Sequence, residues 1–395
     1  HEVRRGLRDE RVGALADGCI VFVPRSAPGD VVELAGIRRS KRLARARVGR
    51  LIEASPDRVT PRCPHYHADD CGGCQVQHLG VSAQREARRR LVGEALLRIG
   101  HLEAPDVALV KSDTEWNYRA KITLAVKRRR IGFHRVGHPD EVFDLVECHI
   151  ARPELNTLWA GLSAHRRFLP PNAEQIVLRI DREGQRHAIV RVSGTEVWAT
   201  ARQLGEALQG RGIPAVLWWD PEGGAARTVY GAKEAYLAMV FEQVHQEMGD
   251  QVRAHAITAL GPLDGKPCWD LYAGIGETTR ALAAGGATVE SVELDRRAVS
   301  LAEARGPGVG VTRHAGSVED LLSRLRPAEL VIVNPPRTGL GEGVTERLAA
   351  RPSQCLVYVS CDPATLARDL DRLRAAFTIA EVTAFDLFPQ TSHVE

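Results

Sequence analysis

The sequence predicts an α/β protein. A doubly wound, Rossmann-like sheet lies at its C-terminal end, behind a small OB-like β-barrel and a mixed α+β centre. Strands alternating with helices over residues 241–395 predict the doubly wound sheet. Short apolar strands separated by turn residues in the first 60 positions predict the barrel. A dense Cys/His loop followed by short alternating strands marks the centre. The expected division is therefore 1–60, 61–240 and 241–395, and a length of 395 residues suits it. Charged residues make up 26% and hydrophobic ones 44%, ordinary for a globular protein, which excludes disordered, collagen-like and coiled-coil readings. No apolar run approaches the ~18–20 residues of a membrane span and no leader is legible. A cytoplasmic protein without a membrane partner is expected. The chain opens on His1 rather than Met, so missing upstream residues are expected.

In the barrel region, Val12 to Ala16 and Cys19 to Val23 read as strands around the tight-turn pair Asp17-Gly18. Pro28-Gly29-Asp30 is a second turn before Val31-Val32-Glu33-Leu34, and a basic strand region follows to Ile52. In the centre, residues 82–99 read as a helix with Ser82 as N-cap and Leu91, Ala95, Leu96 and Ile99 on its apolar face. Lys121 to Val126 and residues 176–198 read as strands. In the C-terminal region the expected strands are Pro267–Leu271, Thr288–Val292, Leu330–Val333 and Cys355–Val359. The expected helices are Thr278–Ala284, Ala298–Arg305 and Pro363–Arg374.

Charge is unevenly spread. Residues 1–150 carry 27 Lys and Arg against 20 Asp and Glu, and residues 151–395 carry 26 against 30. The runs Arg38-Arg39-Ser40-Lys41-Arg42 and Lys127-Arg128-Arg129-Arg130 suit a phosphate backbone, although a solvated face would read the same way.

Asp270-Leu271-Tyr272-Ala273-Gly274-Ile275-Gly276-Glu277 joins a strand to a helix. Gly274 and Gly276 let backbone approach a ligand there. Glu293 ends the next strand, where a carboxylate can bind ribose hydroxyls. The third glycine of a dinucleotide motif is replaced by Thr279, and an acidic residue opens the turn. Both features favour S-adenosylmethionine over NAD. Asn334-Pro335-Pro336 resembles the signature of amino-group methyltransferases, but Arg337 stands where their stacking aromatic belongs. Ser360-Cys361-Asp362-Pro363 lies between a strand and a helix, at the edge where open α/β sheets do their chemistry, and a thiol near a helix N-terminus ionises more easily. Phe388 to Glu395 offers His393 and Glu395 as bases.

Taken together, Asp270–Gly276, Asn334–Gly339, Ser360–Pro363 with Leu366–Leu370, and Asp386–Glu395 resemble the RNA uracil-C5 methyltransferase family. Val21-Phe22-Val23-Pro24 with Pro28-Gly29-Asp30 resembles its TRAM barrel. The resemblance implies a class I methyltransferase domain at 241–395 that uses S-adenosylmethionine to make 5-methyluridine in RNA. It assigns the nucleophile to Cys361 and the base to Glu395 of His-Val-Glu. It places donor binding at Gln243, Tyr272, Gly274, Gly276, Glu277, Glu293 and Asn334, with Phe241 as a stacking surface. Departures are Asn334 where many members have Asp, Glu277 where many have Asn, and His245 in place of a frequent Asn. The family often runs a few residues past His-Val-Glu, so a shortened C-terminus is expected.

Cys63, Cys71, Cys74 and Cys148 suit an iron–sulfur cluster or a structural zinc, and His65, His67 and His78 keep zinc open. The family resemblance implies a [4Fe–4S] cluster on the four cysteines, with a structural or RNA-positioning role. Barrel and cysteines together resemble the 23S rRNA members more than the compact tRNA members. A monomer without an obligate protein partner is expected. The competing expectations are tRNA as substrate, a non-catalytic RNA-binding iron–sulfur protein, and amino-group methylation through Asn334-Pro335-Pro336.

Overall fold

The structure is a computed structural model that describes every residue except 1, 2, 5–9, 15–18, 41, 42, 104, 105, 233–239 and 307. The Asp17-Gly18 turn and Lys41-Arg42 therefore lie outside the described residues.

At the N-terminal end, Val3–Arg4, Glu10–Ala14, Ile20–Pro24, Val31–Arg39 and Leu43–Glu53 form a five-stranded sheet. Val31–Arg39 sits at one edge and pairs with Leu43–Glu53 through several register shifts. Val21, Val23, Ala44 and Ala46 make its small apolar core. Asp30 anchors the Pro28-Gly29-Asp30 turn, accepting from the backbone of Ala27 and Ser55 and pairing with Arg58 at 2.6 Å. Burial pushes this carboxyl up, but those hydrogen bonds and the Arg58 charge outweigh it and hold Asp30 below its ordinary value.

The centre is a six-stranded sheet ordered Arg227–Tyr230, Val216–Pro221, Arg186–Val192, Ala173–Ile180, Lys121–Lys127, Arg130–Gly132. It is antiparallel except where Arg186–Val192 runs parallel to Val216–Pro221. Helices Pro153–Ala164 and Ala201–Gly210 cover it, and Trp159, Leu162, Leu204 and Leu208 fill the core with Ile176, Leu178 and Val190. Cys71, Cys74 and Cys148 belong to this same core. The expected helix runs over Val81–Arg98, with Gly80 rather than Ser82 as N-cap and no side-chain cap bond. Ala95 and Leu96 are buried as expected, whereas Ile99 is exposed because the helix has already ended.

The C-terminal sheet is wholly parallel, ordered Val311–Ala315, Thr288–Glu293, Pro267–Leu271, Leu330–Val333, Cys355–Tyr358. Its central strands are apolar on both faces, as a sheet sandwiched between helices requires. Leu271, Val331 and Val333 face one core and Cys268, Leu330 and Ile332 the other. Two contacts lock this unit to the centre. Thr383–Phe385 pairs in parallel with Ala108–Val110, and Val92, Ala95 and Leu96 pack with Ala367, Ala384 and Val394. No helix among the described residues is long and apolar enough to cross a membrane.

Candidate active site

The turn after Pro267–Leu271 needs three unusual backbone conformations, at alternate positions within five residues. Tyr272 lies at φ 65°, Gly274 at 54° and Gly276 at 71°. Glycine takes that region without strain, and tyrosine does not. Two carboxylates hold the turn. Asp270 is buried and accepts from the Thr279 hydroxyl at 2.5 Å, which ties the strand to the first turn of helix Glu277–Ala284. Thr279, which fills the place of the absent third glycine, thus has its own structural task. Burial pushes the Asp270 carboxyl up to about 6. Glu293 accepts from the backbone N–H of Gly274 at 2.8 Å and, through its other oxygen, from that of Asp295 at 2.8 Å. Glu277 at the helix start is engaged by Arg253 and by Arg182, the latter at 3.2 Å. Asn334 is exposed at the end of Leu330–Val333, and its backbone N–H donates to Leu271 at 3.2 Å, beside the turn. The Tyr272 hydroxyl reaches Glu319 at 3.5 Å, and the Phe241 ring is exposed.

Cys361 follows strand Cys355–Tyr358, one residue before Asp362, which caps helix Pro363–Leu373 by accepting from Ala364 at 2.9 Å and Thr365 at 3.0 Å. The helix start alone would favour the thiolate. Instead burial, and after it the neighbouring Glu395 carboxylate, push the Cys361 thiol up. Arg337 opposes them by charge and by hydrogen bond. The structure thus corrects the expectation of an easily ionised thiol: burial first, and the nearby base second, outweigh the helix end.

Glu395 is pushed up to about 7 by burial, against the Gln243 hydrogen bond and the Arg337 charge. Gln243 donates its amide N–H to Glu395 Oε1 at 3.4 Å, so this expected donor-binding side chain meets the base. Glu395 Oε2 is buried without a hydrogen-bond partner among the described residues, which leaves an oxygen open to a proton. Cys361, Glu395, Gln243 and Arg337 thus converge, although they come from four separate stretches of sequence. Sequence reasoning missed Arg337 as a site residue, reading it only as a missing aromatic. Its position beside the strand end that carries Asn334 was the available signal.

A cavity of about 460 Å³ is lined by Arg337, Phe388 and His393 together with all four cysteines of the loop. Cys63, Cys71, Cys74 and Cys148 are buried, and burial pushes all four thiols up, Cys71 to about 12. Each is also near enough to at least one of the others to feel its charge. Among the described residues, however, no group of three or more His, Cys, Asp or Glu side chains is placed to hold a metal ion. Two of the three histidines that kept zinc open, His65 and His78, have hydrogen-bond partners of their own. His65 pairs with Asp69 at 2.7 Å and accepts from Val146 at 3.2 Å. His78 lies between the Tyr66 hydroxyl at 2.6 Å and the Ser26 carbonyl at 3.1 Å. The loop is gripped from the N-terminal sheet by Arg25, which donates to the Cys71 carbonyl at 3.0 Å and lies 4.1 Å over the Tyr66 ring.

Known proteins align with this arrangement. Residues 320–395, which hold Arg337, Cys361 and Glu395, match the family model described as tRNA (uracil-5-)-methyltransferase. A 23S rRNA (uracil(1939)-C(5))-methyltransferase of Halomonas elongata is 32% identical over 433 residues, covering 100% of this chain and 86% of the relative. An uncharacterized RNA methyltransferase of Corynebacterium efficiens is 33% identical over 96% of this chain and 88% of its own length. The crystal structure of the Pyrococcus abyssi tRNA (uracil-54, C5)-methyltransferase, in complex with S-adenosyl-L-homocysteine, has a TM-score of 0.75. That match is one of fold, at 24% identity over 100% of this chain and 97% of that one. With a relative above 30% identity along its whole length and a fold shared from end to end, the chain belongs to the RNA uracil-C5 methyltransferase family.

Proposed function

We propose that the protein methylates carbon 5 of a uracil in RNA, most fittingly in 23S rRNA, with S-adenosylmethionine as donor. The observation that carries this reading is the meeting of Cys361 with Glu395 at the carboxyl edge of the parallel sheet that also carries the Tyr272–Gly276 turn. Carbon 5 of uracil is a weak nucleophile. Addition of the Cys361 sulfur to carbon 6 makes it an enolate carbon able to take a methyl group. The donor supplies that methyl and leaves as S-adenosylhomocysteine. Glu395 then removes the carbon 5 proton, the sulfur–carbon 6 bond breaks, and the double bond returns. A base raised to about 7 holds and releases a proton near neutral pH. Arg337 offsets the negative charge shared by thiolate and carboxylate.

Glu293, bound to the Gly274 amide, fixes the turn on which the donor's ribose and methionine would rest. Gln243, Tyr272, Gly276, Glu277 and Asn334 complete the proposed donor pocket, and Gln243 bridges it to the base. The target base must leave its stack to reach a half-buried thiol. The basic run at 127–130 would hold the RNA backbone through phosphates.

The four buried thiols would be the donor set for the [4Fe–4S] cluster that the family resemblance implies. Four thiolates are the ligands such a cluster takes, and the four side chains are buried near one another. Cys63, Cys71, Cys74 and Cys148 would hold it. It would brace the loop that packs against the base segment, since methyl transfer balances without added electrons.

The test is nucleoside mass spectrometry of 23S rRNA and tRNA transcripts after incubation with the protein and labelled donor. 5-Methyluridine in the 23S transcript is expected. Label in an exocyclic amine would select amino-group chemistry, label only in tRNA would change the substrate, and no label would overturn the proposal.

A further inference from the structure

We propose that Arg88, in helix Val81–Arg98, is a positioning residue for the base Glu395; this rests on the reading of Glu395 as the base. The segment that carries Glu395 is a closed loop. Phe385 donates to the Glu395 carbonyl at 2.9 Å, so residues 386–394 lie between two points that touch. The Arg88 guanidinium fills the middle of that loop. It pairs with Asp386 at 3.0 Å and donates to the carbonyls of His393 at 3.0 Å, Phe388 at 3.1 Å and Thr391 at 2.6 Å. Arg88 is 3% exposed and Asp386 1%, so neither charge has water as an alternative partner.

One helical turn earlier, Gln84 grips the same loop. Its side-chain carbonyl accepts from the backbone of Gln390, and its amide donates to the Gln390 side chain, both at 3.0 Å. Gln390 needs such a grip, because it lies at φ 70°, a left-handed conformation that is strained for a non-glycine residue. Two further donors, the backbone N–H groups of Gln75 and Val76 just after Cys74, reach the Gln390 carbonyl at 3.2 Å. Nothing in the parallel sheet supplies these contacts. The methyltransferase unit carries the base, but an arginine about three hundred residues earlier sets its shape.

A guanidinium is needed because one planar group must serve a carboxylate and three carbonyls at once. Lysine keeps the charge opposite Asp386 but cannot reach all four acceptors. The loop would then relax around Gln390 and move Glu395 relative to carbon 5, while Cys361, held by its own strand and helix, stays in place.

The experiment separates adduct formation from adduct release in the full-length protein. Arg88→Lys, Gln84→Ala and Glu395→Gln are each assayed with uridine RNA for turnover and for covalent adduct, and with 5-fluorouridine RNA for trapping. With Arg88→Lys, turnover should fall roughly tenfold to a hundredfold, the cost of misplacing a reacting group by about 1 Å. A uridine adduct should accumulate as it does in Glu395→Gln, and 5-fluorouridine trapping should keep its wild-type rate. Gln84→Ala should show the same partition more weakly, and it serves as the test if Arg88→Lys does not fold. Equal loss of trapping and turnover would make Arg88 merely structural and overturn the inference, as would unchanged turnover. If Glu395→Gln itself accumulates no adduct, the base assignment fails first.

Discussion

The donor turn at Tyr272–Gly276 is fixed by neighbours in sequence. Asp270 reaches Thr279 nine positions on, and Gly274 is held by Glu293 nineteen positions on. The base segment at 386–395 is fixed by Arg85, Arg88 and Gln84, all about three hundred positions away. Both features sit at the same sheet edge. The first is built by its own strand–turn–helix unit, whereas the second exists only once the centre of the chain has docked. The donor turn therefore follows local folding, and proton removal follows assembly of the whole molecule.

The largest effect that would sharpen this contrast comes from the base. Glu395→Gln should lower turnover by about 10²–10⁴ while leaving donor affinity unchanged by isothermal titration. Unaltered turnover would remove Glu395 from the mechanism. The same variant removes the negative charge that helps hold the Cys361 thiol up. Alkylation of Cys361 by iodoacetamide, followed by peptide mass spectrometry, should then reach half its maximal rate at a lower pH than in the wild type. Arg337→Ala should move that midpoint upward, because Arg337 pulls the thiol down.

Next in size is the turn. Asp270→Ala leaves the buried Thr279 hydroxyl without its acceptor and should cost about 1–3 kcal/mol of stability, read by denaturant melts, together with weaker donor binding. It should leave the Arg88–Asp386 loop intact. A loss of the base segment's protection from hydrogen exchange in this variant would break the contrast.

Proton linkage gives a subtler signature. Asp270 is raised from 3.8 to about 6 and Glu395 from 4.5 to about 7, so the folded protein keeps protons that the unfolded chain has already lost. Their contribution to stability therefore declines as pH rises from about 4 to about 7. Glu395→Gln should melt higher than the wild type at pH 8, with the difference vanishing near pH 4. Smallest of all, Glu277→Gln breaks ion pairs that water partly screens, and thermal melts should register less than about 1 kcal/mol.

The same contrast explains what could be read from the chain. The strands Pro267–Leu271 and Leu330–Val333 follow from apolar runs bounded by turn residues. Cys361 stood out because it lies between a strand and a helix. Strand Val311–Ala315 escaped notice because Thr312, Arg313 and His314 break its apolar pattern at the sheet's edge. The grip of Arg88 on the loop around Gln390 was illegible, since no local pattern links positions 88 and 390. The raised thiol of Cys361 was also hidden, because its causes are burial and, second to it, Glu395, which is distant in sequence and adjacent in space. His65, His67 and His78 looked like ligands by proximity to the cysteines, but partners at Asp69, Tyr66 and Ser26 occupy His65 and His78.

The most direct test of the central claim is covalent trapping. The protein, S-adenosylmethionine and a 5-fluorouridine-substituted 23S rRNA transcript are incubated and resolved on a denaturing gel. Fluorine cannot leave carbon 5 as a proton does, so a protein–RNA adduct should accumulate, persist in Glu395→Gln and vanish in Cys361→Ala. An adduct that survives Cys361→Ala, or none with any RNA while donor and RNA still bind, would contradict the account.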